Sequence, residues 1–175
     1  MKKLTAMFAA LALFFTATAF DPSPSTGFNS PFNLNNSKAV SAENVNKNIR
    51  NAFSEKFINA TDVSWKENQG VYFAQFKQEG KEFTAAYSPE ADFVAICRRV
   101  SLEDLPLKVS EALYKKYAEH NITAEATEIV MEGETGYYLT VENKDSFKLL
   151  KCDASGNISV LQKTKKKVLV GRVEV

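Results

Sequence analysis

Residues 71–87 read VYFAQFKQEGKEFTAAY, and this stretch decides the fold class. Tyr72, Ala74 and Phe76 alternate with Phe73 and Gln75, a period of two that belongs to a strand rather than a helix. Gln78-Glu79-Gly80 supplies a tight turn, after which Phe83, Ala85 and Tyr87 alternate with Thr84 and Ala86. So short a connection permits only antiparallel pairing, because parallel strands need a long crossover. Working outward, Asp62–Glu67 and Phe93–Val100 read as further strands, divided off by Gly70 and by Ser88-Pro89-Glu90.

Upstream, the period changes. Val45, Ile49, Ala52, Phe53 and Phe57 are spaced as one face of an α-helix, while Lys47, Arg50, Glu55 and Lys56 take other faces. Ser41 or Asn44 is placed to cap its start, and Asn59 and Thr61 mark its end. Downstream, Leu105, Val109, Ala112, Leu113 and Tyr117 repeat the helical spacing at a constant offset of 60. Pro106 suits a first helical turn, where its missing amide costs nothing. Strands are predicted again near residues 124–131, 136–143, 146–152 and 157–163. Tyr137, Leu139 and Val141 follow Tyr72, Ala74 and Phe76 at an offset of 65, and Phe147 follows Phe83 at 64.

These spacings predict an α+β fold: a tandem repeat of one helix plus about four antiparallel strands, with the helices packed on one face of a shared sheet. The repeats span 44–100 and 101–163 in a domain over 44–175. One unit of about 60 residues buries little core alone, and two can share one. Most of Trp65, Tyr72, Tyr87, Tyr137 and Tyr138 belong to the core. If Tyr137, Leu139 and Val141 take the core side, then Tyr138, Thr140 and Glu142 point the other way and form a candidate partner-binding patch.

The ends read differently. Residues 1–19, MKKLTAMFAALALFFTATA, carry Lys2 and Lys3, an apolar run from Met7 to Phe15 and the small-x-small triplet Ala17-Thr18-Ala19. That is the pattern of a cleaved secretory signal peptide, its apolar run too short to span a bilayer. It predicts a periplasmic or secreted protein with no stable membrane insertion after cleavage. Residues 20–43 hold Pro22, Pro24, Pro31 and many Ser and Asn, and are read as an irregular arm. Phe20, Phe28 and Phe32 in that arm have two readings: loose packing, or docking on the domain or a partner. At the other end, Lys163, Lys165, Lys166 and Lys167 form a basic run, read as a solvated edge or turn or as a contact for an acidic partner, before a last strand or tail at Val168–Val175.

Composition excludes several classes. The 175 residues are 45% hydrophobic and 25% charged with a net charge of +1, which falls to −1 without the signal's two lysines. That balance fits neither a disordered chain nor a nucleic-acid binder. The lone histidine, His120, lies in a polar stretch after the second helix and reads as a loop or helix-end residue. Cys97 and Cys152 lack zinc-ligand spacing, and each is either half of a disulfide or a small buried hydrophobe. No catalytic signature is present, so the chain is read as a non-enzyme. A hydrolase would have to use dispersed carboxylates such as Glu103, Asp104 and Asp153.

With both halves in view, the chain resembles the PepSY-like family of small exported proteins of Bacteroidetes-type bacteria, similar in architecture to the beta-lactamase-inhibitor protein. The match rests on Ala60-x-x-Val63-x-Trp65, Leu105-Pro106-x-x-Val109, Tyr137-Tyr138-Leu139-Thr140-Val141 and Phe147-Lys148-Leu149-Leu150. Gly156 stands where that family places a turn glycine. The resemblance covers about residues 44–163. It implies a periplasmic binding or regulatory module, peptidase-inhibitor-like or protein-sensing. The helix-on-sheet layout and the absence of catalytic residues point to a protein partner in the cell envelope, and no cofactor is expected. The resemblance also implies, for some members, a calcium- or ligand-responsive sensor. Here Cys152-Asp153-Ala154-Ser155-Gly156 offers one carboxylate and Pro89-Glu90-Ala91-Asp92 two, against the six to eight oxygens calcium prefers.

Overall fold

The computed structural model describes Leu34 and residues 37–166. The expected signal segment 1–19, most of the arm 20–43, Lys167 and the tail Val168–Val175 lie outside the described residues. In chain order the elements are β1 (Lys38–Val40), α1 (Lys47–Lys56), β2 (Thr61–Asn68), β3 (Val71–Gln78), β4 (Lys81–Tyr87), β5 (Phe93–Ser101), α2 (Leu107–Tyr117), β6 (Asn121–Ile122), β7 (Glu125–Met131), β8 (Glu134–Glu142), β9 (Ser146–Asp153) and β10 (Ile158–Lys165). Short 3-10 turns at Ala42–Asn44 and Leu102–Asp104 lead into the two helices.

Among the described residues, all strands join one ten-stranded sheet in the order β1-β2-β3-β4-β5-β7-β8-β9-β10, with β6 paired to β8. Every pairing is antiparallel. This corrects the expected fold class. The molecule is a mostly antiparallel sheet, with 53% of the described residues in strands and two short helices, not a tandem helix-plus-strands repeat. Strand pairing is the physical reason. β5 and β7 pair from Ala95↔Met131 to Ser101↔Glu125, so the ladder runs unbroken through the point where two units were expected to meet. β1 and β6, three and two residues long, add pairings that no hydrophobic period announces. β1 falls inside the stretch read as an irregular arm.

Local chemistry sets the helix starts. Asn46, rather than Ser41 or Asn44, caps α1 by accepting from the Asn48 amide at 2.9 Å. Pro106 precedes α2, and its carbonyl accepts from the amides of Val109 and Ser110 at 2.9 and 3.1 Å.

Two clusters make the main core. Val45, Ile49 and Phe53 pack with Trp65, Ala74, Phe76, Ala85 and Tyr87. Val109, Leu113 and Tyr117 pack with Ala126, Tyr137, Leu139, Val141, Leu150 and Cys152. Arg98 and Glu128 pair across the β5–β7 seam, and the Tyr137 hydroxyl donates to the same carboxylate at 3.2 Å. Tyr87 is fully buried, and among the described residues its hydroxyl has no hydrogen-bond partner. Burial pushes its pKa up to about 12. The unfolded phenol ionises near 10, so the stability tied to the neutral form is intact below that pH and falls as pH rises from 10 towards 12. Tyr87→Phe is therefore expected to gain about 1 kcal/mol at neutral pH, by removing an unsatisfied hydroxyl. It should also flatten the alkaline loss, as urea titrations at pH 7 and pH 11 will show.

The turns after β4 and β9 use one hydrogen-bond pattern. Ser88 Oγ accepts from the amides of Glu90 and Asp92 at 3.2 and 3.1 Å. Asp153 Oδ1 accepts from those of Ser155 and Asn157 at 2.9 and 3.0 Å. Each turn needs one left-handed residue, Ala91 at φ 73° and Gly156 at φ 89°. Ala91→Gly removes a Cβ from that conformation and is expected to stabilise the protein by about 1 kcal/mol, read as a higher thermal midpoint.

The edges differ. β1 is short, whereas β10 is a full-length edge strand whose register shifts between Val160 and Gln162 and which carries Lys163 and Lys165. A bulge and lysines both discourage pairing with a second sheet.

Candidate functional site

Strand alternation gives the sheet a second face, away from the two main clusters. Register places Phe73, Ala86 and Ala95 in one row across β3, β4 and β5. Gln75, Thr84, Cys97, Ile129 and Gly136 form the next row, from β3 to β8. Arg99, Thr127, Tyr138, Lys151 and Ser159 form a third, from β5 to β10. The centre is apolar. Val71, Phe73 and Ala86 make one cluster and Ala95, Cys97, Ile129 and Tyr138 another, with Val94 packed against both.

Charge surrounds this centre. Lys77 Nζ lies 3.0 Å from Asp62 Oδ2, and this bond holds the Lys77 pKa above its ordinary value. Arg99 Nη1 lies 3.5 Å from Glu125 Oε2, and both side chains are exposed. Lys151 reaches over the Tyr138 ring, 5.9 Å from its centroid. The centre is itself buried, so the charged residues around it are the part of this face that solvent reaches.

The expected patch of Tyr138, Thr140 and Glu142 lies on this face by register. Its accessibility is corrected: Tyr138 is 6% and Thr140 7% exposed. The Tyr138 ring folds back over Gly136, where an added Cβ would stand 3.1 Å from a ring carbon. Thr140 is shielded by residues 121–123, its amide donating to Thr123 Oγ1 and its carbonyl accepting from the Thr123 amide. Glu142 is half-buried and pairs with Lys166, whose ammonium also sits over the Phe147 ring at 4.7 Å. Exposed side chains of the face include Lys77, Glu82, Arg99, Glu125 and Ser159, with Gln75, Thr84 and Lys151 half-buried. Sequence reading does not single these out, although all share the parity of Tyr138 once register is known.

The other candidates are accounted for locally. His120 sits at the end of α2, half-buried rather than exposed, edge-on to Tyr117 at 5.1 Å with Lys148 Nζ 3.0 Å from its Nε2. Glu103 and Asp104 are exposed in the turn before α2. Asp153 spends its carboxylate on the β9–β10 turn, and its bonds from Asn157 hold its pKa below the usual range. Among the described residues, no three His, Cys, Asp or Glu side chains gather as a metal-binding group. Cys97 and Cys152 are both buried and belong to different clusters on opposite faces, so no disulfide joins them. Burial pushes the Cys152 thiol up to about 11.

The fold is shared with solved structures. A DUF2874 family protein from Bacteroides ovatus superposes with a TM-score of 0.60 at 20% identity, over 68% of this chain and 86% of its own. A BLIP-like protein from Bacteroides fragilis superposes at 0.59 and 20% identity, over 74% of this chain and 91% of its own. A candidate periplasmic protein from Bacteroides eggerthii gives 0.60 at 16% identity, over 69% and 88%. No family profile and no curated protein matches the sequence. At these identities the likeness establishes the fold: the chain has the architecture of DUF2874 and BLIP-like proteins. Among the described residues, no helix is long and apolar enough to cross a membrane.

Proposed function

We propose that this protein is an exported, non-catalytic binding module of the cell envelope, of the PepSY-like kind, and that it recognises a protein through the second face of its sheet. The observation that carries this reading is the exposed charged rim of that face, Lys77, Glu82, Arg99 and Glu125, with Lys151 half-buried beside it. The BLIP-like and periplasmic neighbours support the same kind of role and compartment. Rim charges mainly steer association and fix orientation, so reversing them weakens binding without unfolding the protein. A pull-down from envelope extract is expected to recover one specific protein with the wild type and to lose it with Arg99→Glu/Lys151→Glu. Lys115→Glu/Lys116→Glu, at exposed positions of α2, should retain it. Equal recovery by both variants would oppose this reading.

A further inference from the structure

We propose that the outer edge of β10 is a strand-addition site for an extended acidic segment of a partner protein, one whose carboxylates fall at alternate positions. Among the described residues, β10 is the last strand of the sheet and pairs with β9 alone, so no strand lies along its outer side. The backbone amides and carbonyls of such an edge are a template for another chain. Most residues of β10 are exposed. Val160 is 48% and Leu161 43% exposed, two neighbouring apolar side chains left at the rim of the sheet. An extended peptide laid along an edge gains affinity from main-chain hydrogen bonds and specificity from contacts at every second side chain.

Charge selects the occupant. β10 carries Lys163 and Lys165 and no acidic residue. Register puts Val160 opposite Leu150, Lys163 opposite Lys148 and Lys165 opposite Ser146, all on the helix-bearing face. Two lysines directly opposite each other repel. Neither Lys163 nor Lys165 has an ion pair among the described residues, and the Lys148 ammonium lies 3.0 Å from the His120 ring rather than beside a carboxylate. The nearby Glu142 is already paired with Lys166. Carboxylates two residues apart on an added strand fall beside Lys163 and Lys165, and an apolar residue further along falls beside Val160. The bulge between Val160 and Gln162 does not close the edge, since pairing with β9 runs unbroken from Gln162↔Leu149 to Lys165↔Ser146. A second copy is the wrong occupant, because joining the lysine-bearing halves of two β10 strands sets lysine against lysine. The lysines that deter self-association thus favour an acidic strand, a repulsive and an attractive element in one.

This edge is separate from the second sheet face, and the purified full chain with synthetic peptides tests it without reference to the partner of that face. The probe is a fluorescent peptide of about ten residues, rich in threonine and valine, with glutamates at two alternate positions, its binding read by anisotropy. It should bind about tenfold more tightly than the same peptide with lysines in place of the glutamates. Lys163→Glu/Lys165→Glu should weaken it about tenfold, while Lys47→Glu/Lys81→Glu, at exposed positions on α1 and β4, should leave it unchanged. Methylating one set of alternate backbone nitrogens of the peptide should abolish binding, and methylating the other set should not, because only one set faces β10. No binding by the full chain, equal binding of the lysine peptide, equal losses in the two variants, or indifference to both methylations would each overturn the proposal. A wild-type dimer that Val160→Lys disperses would overturn it too, by assigning the edge to a second copy.

Discussion

Phe53→Ala is expected to cost about 3–5 kcal/mol, the range for deleting a buried aromatic side chain. Phe53 is the point where α1 meets the sheet. Its ring lies 5.3 Å from Trp65, 5.1 Å from Phe76 and 6.5 Å from Tyr87, all edge-on, and 5.3 Å from Phe57. Edge-to-face aromatic pairs contribute about 0.5–1.5 kcal/mol each beyond the area they bury. The edge-on partners belong to three different strands, so the cavity left by alanine cannot close by moving one side chain. Domains of this size are stable by about 5–15 kcal/mol, so this single change removes a large part of the total. Urea denaturation should show a lower midpoint at an unchanged slope. A loss below about 1 kcal/mol would mean that the α1 cluster is not packed as described.

Gly156→Ala is expected to cost about 2–4 kcal/mol, combining the left-handed penalty with an overpacking clash. Gly156 sits at φ 89°, and an added Cβ would lie 2.6 Å from the carbonyl oxygen of Lys108 in the first turn of α2. A backbone oxygen in a helix cannot swing aside as the end of a flexible side chain can. The β9–β10 turn must therefore lift away from α2, weakening its contact with Ala112. Gly80 provides the control. It has a similar φ of 73°, but a Cβ added there would meet nothing within 4 Å. Gly80→Ala should cost about 1 kcal/mol, the conformational part alone. Thermal or urea unfolding of the two variants side by side separates the two contributions, and equal losses would show that the Lys108 contact contributes nothing.

Much of the secondary structure is legible in the sequence because burial imposes a period on it. Val71–Gln78 carries its alternation in plain view and is β3 residue for residue. The helical spacing of Ile49 and Phe53, and of Val109, Leu113 and Tyr117, selects the residues that α1 and α2 bury. Two- and three-residue strands have no period, which is why β1 and β6 escape such a reading. At a larger scale the sequence misleads. Its repeated spacing suggests paired units, whereas hydrogen bonding from Ala95↔Met131 to Ser101↔Glu125 makes one uninterrupted sheet.

The candidate site is legible in direction only. Parity alone tells that Tyr138 opposes Tyr137 and Leu139. It does not tell that Tyr138 lies over Gly136 beneath Lys151, since those contacts depend on strand register and on a neighbour from the next strand. The rim residues escape sequence reading for the same reason. Arg99 and Glu125 face each other only because β5 pairs with β7, a pairing that no short turn in the sequence announces.

The second sheet face, not the outer surface of the helices, is the one we propose meets the partner. Site-specific photocrosslinking in the intact cell envelope tests it most directly. A photoreactive residue is placed in turn at Thr84 and Lys151 on that face, and at Leu107 and Tyr114, both exposed on α2. One adduct of constant mass is expected from Thr84 and Lys151 and none from Leu107 or Tyr114. An adduct confined to the α2 positions would contradict it.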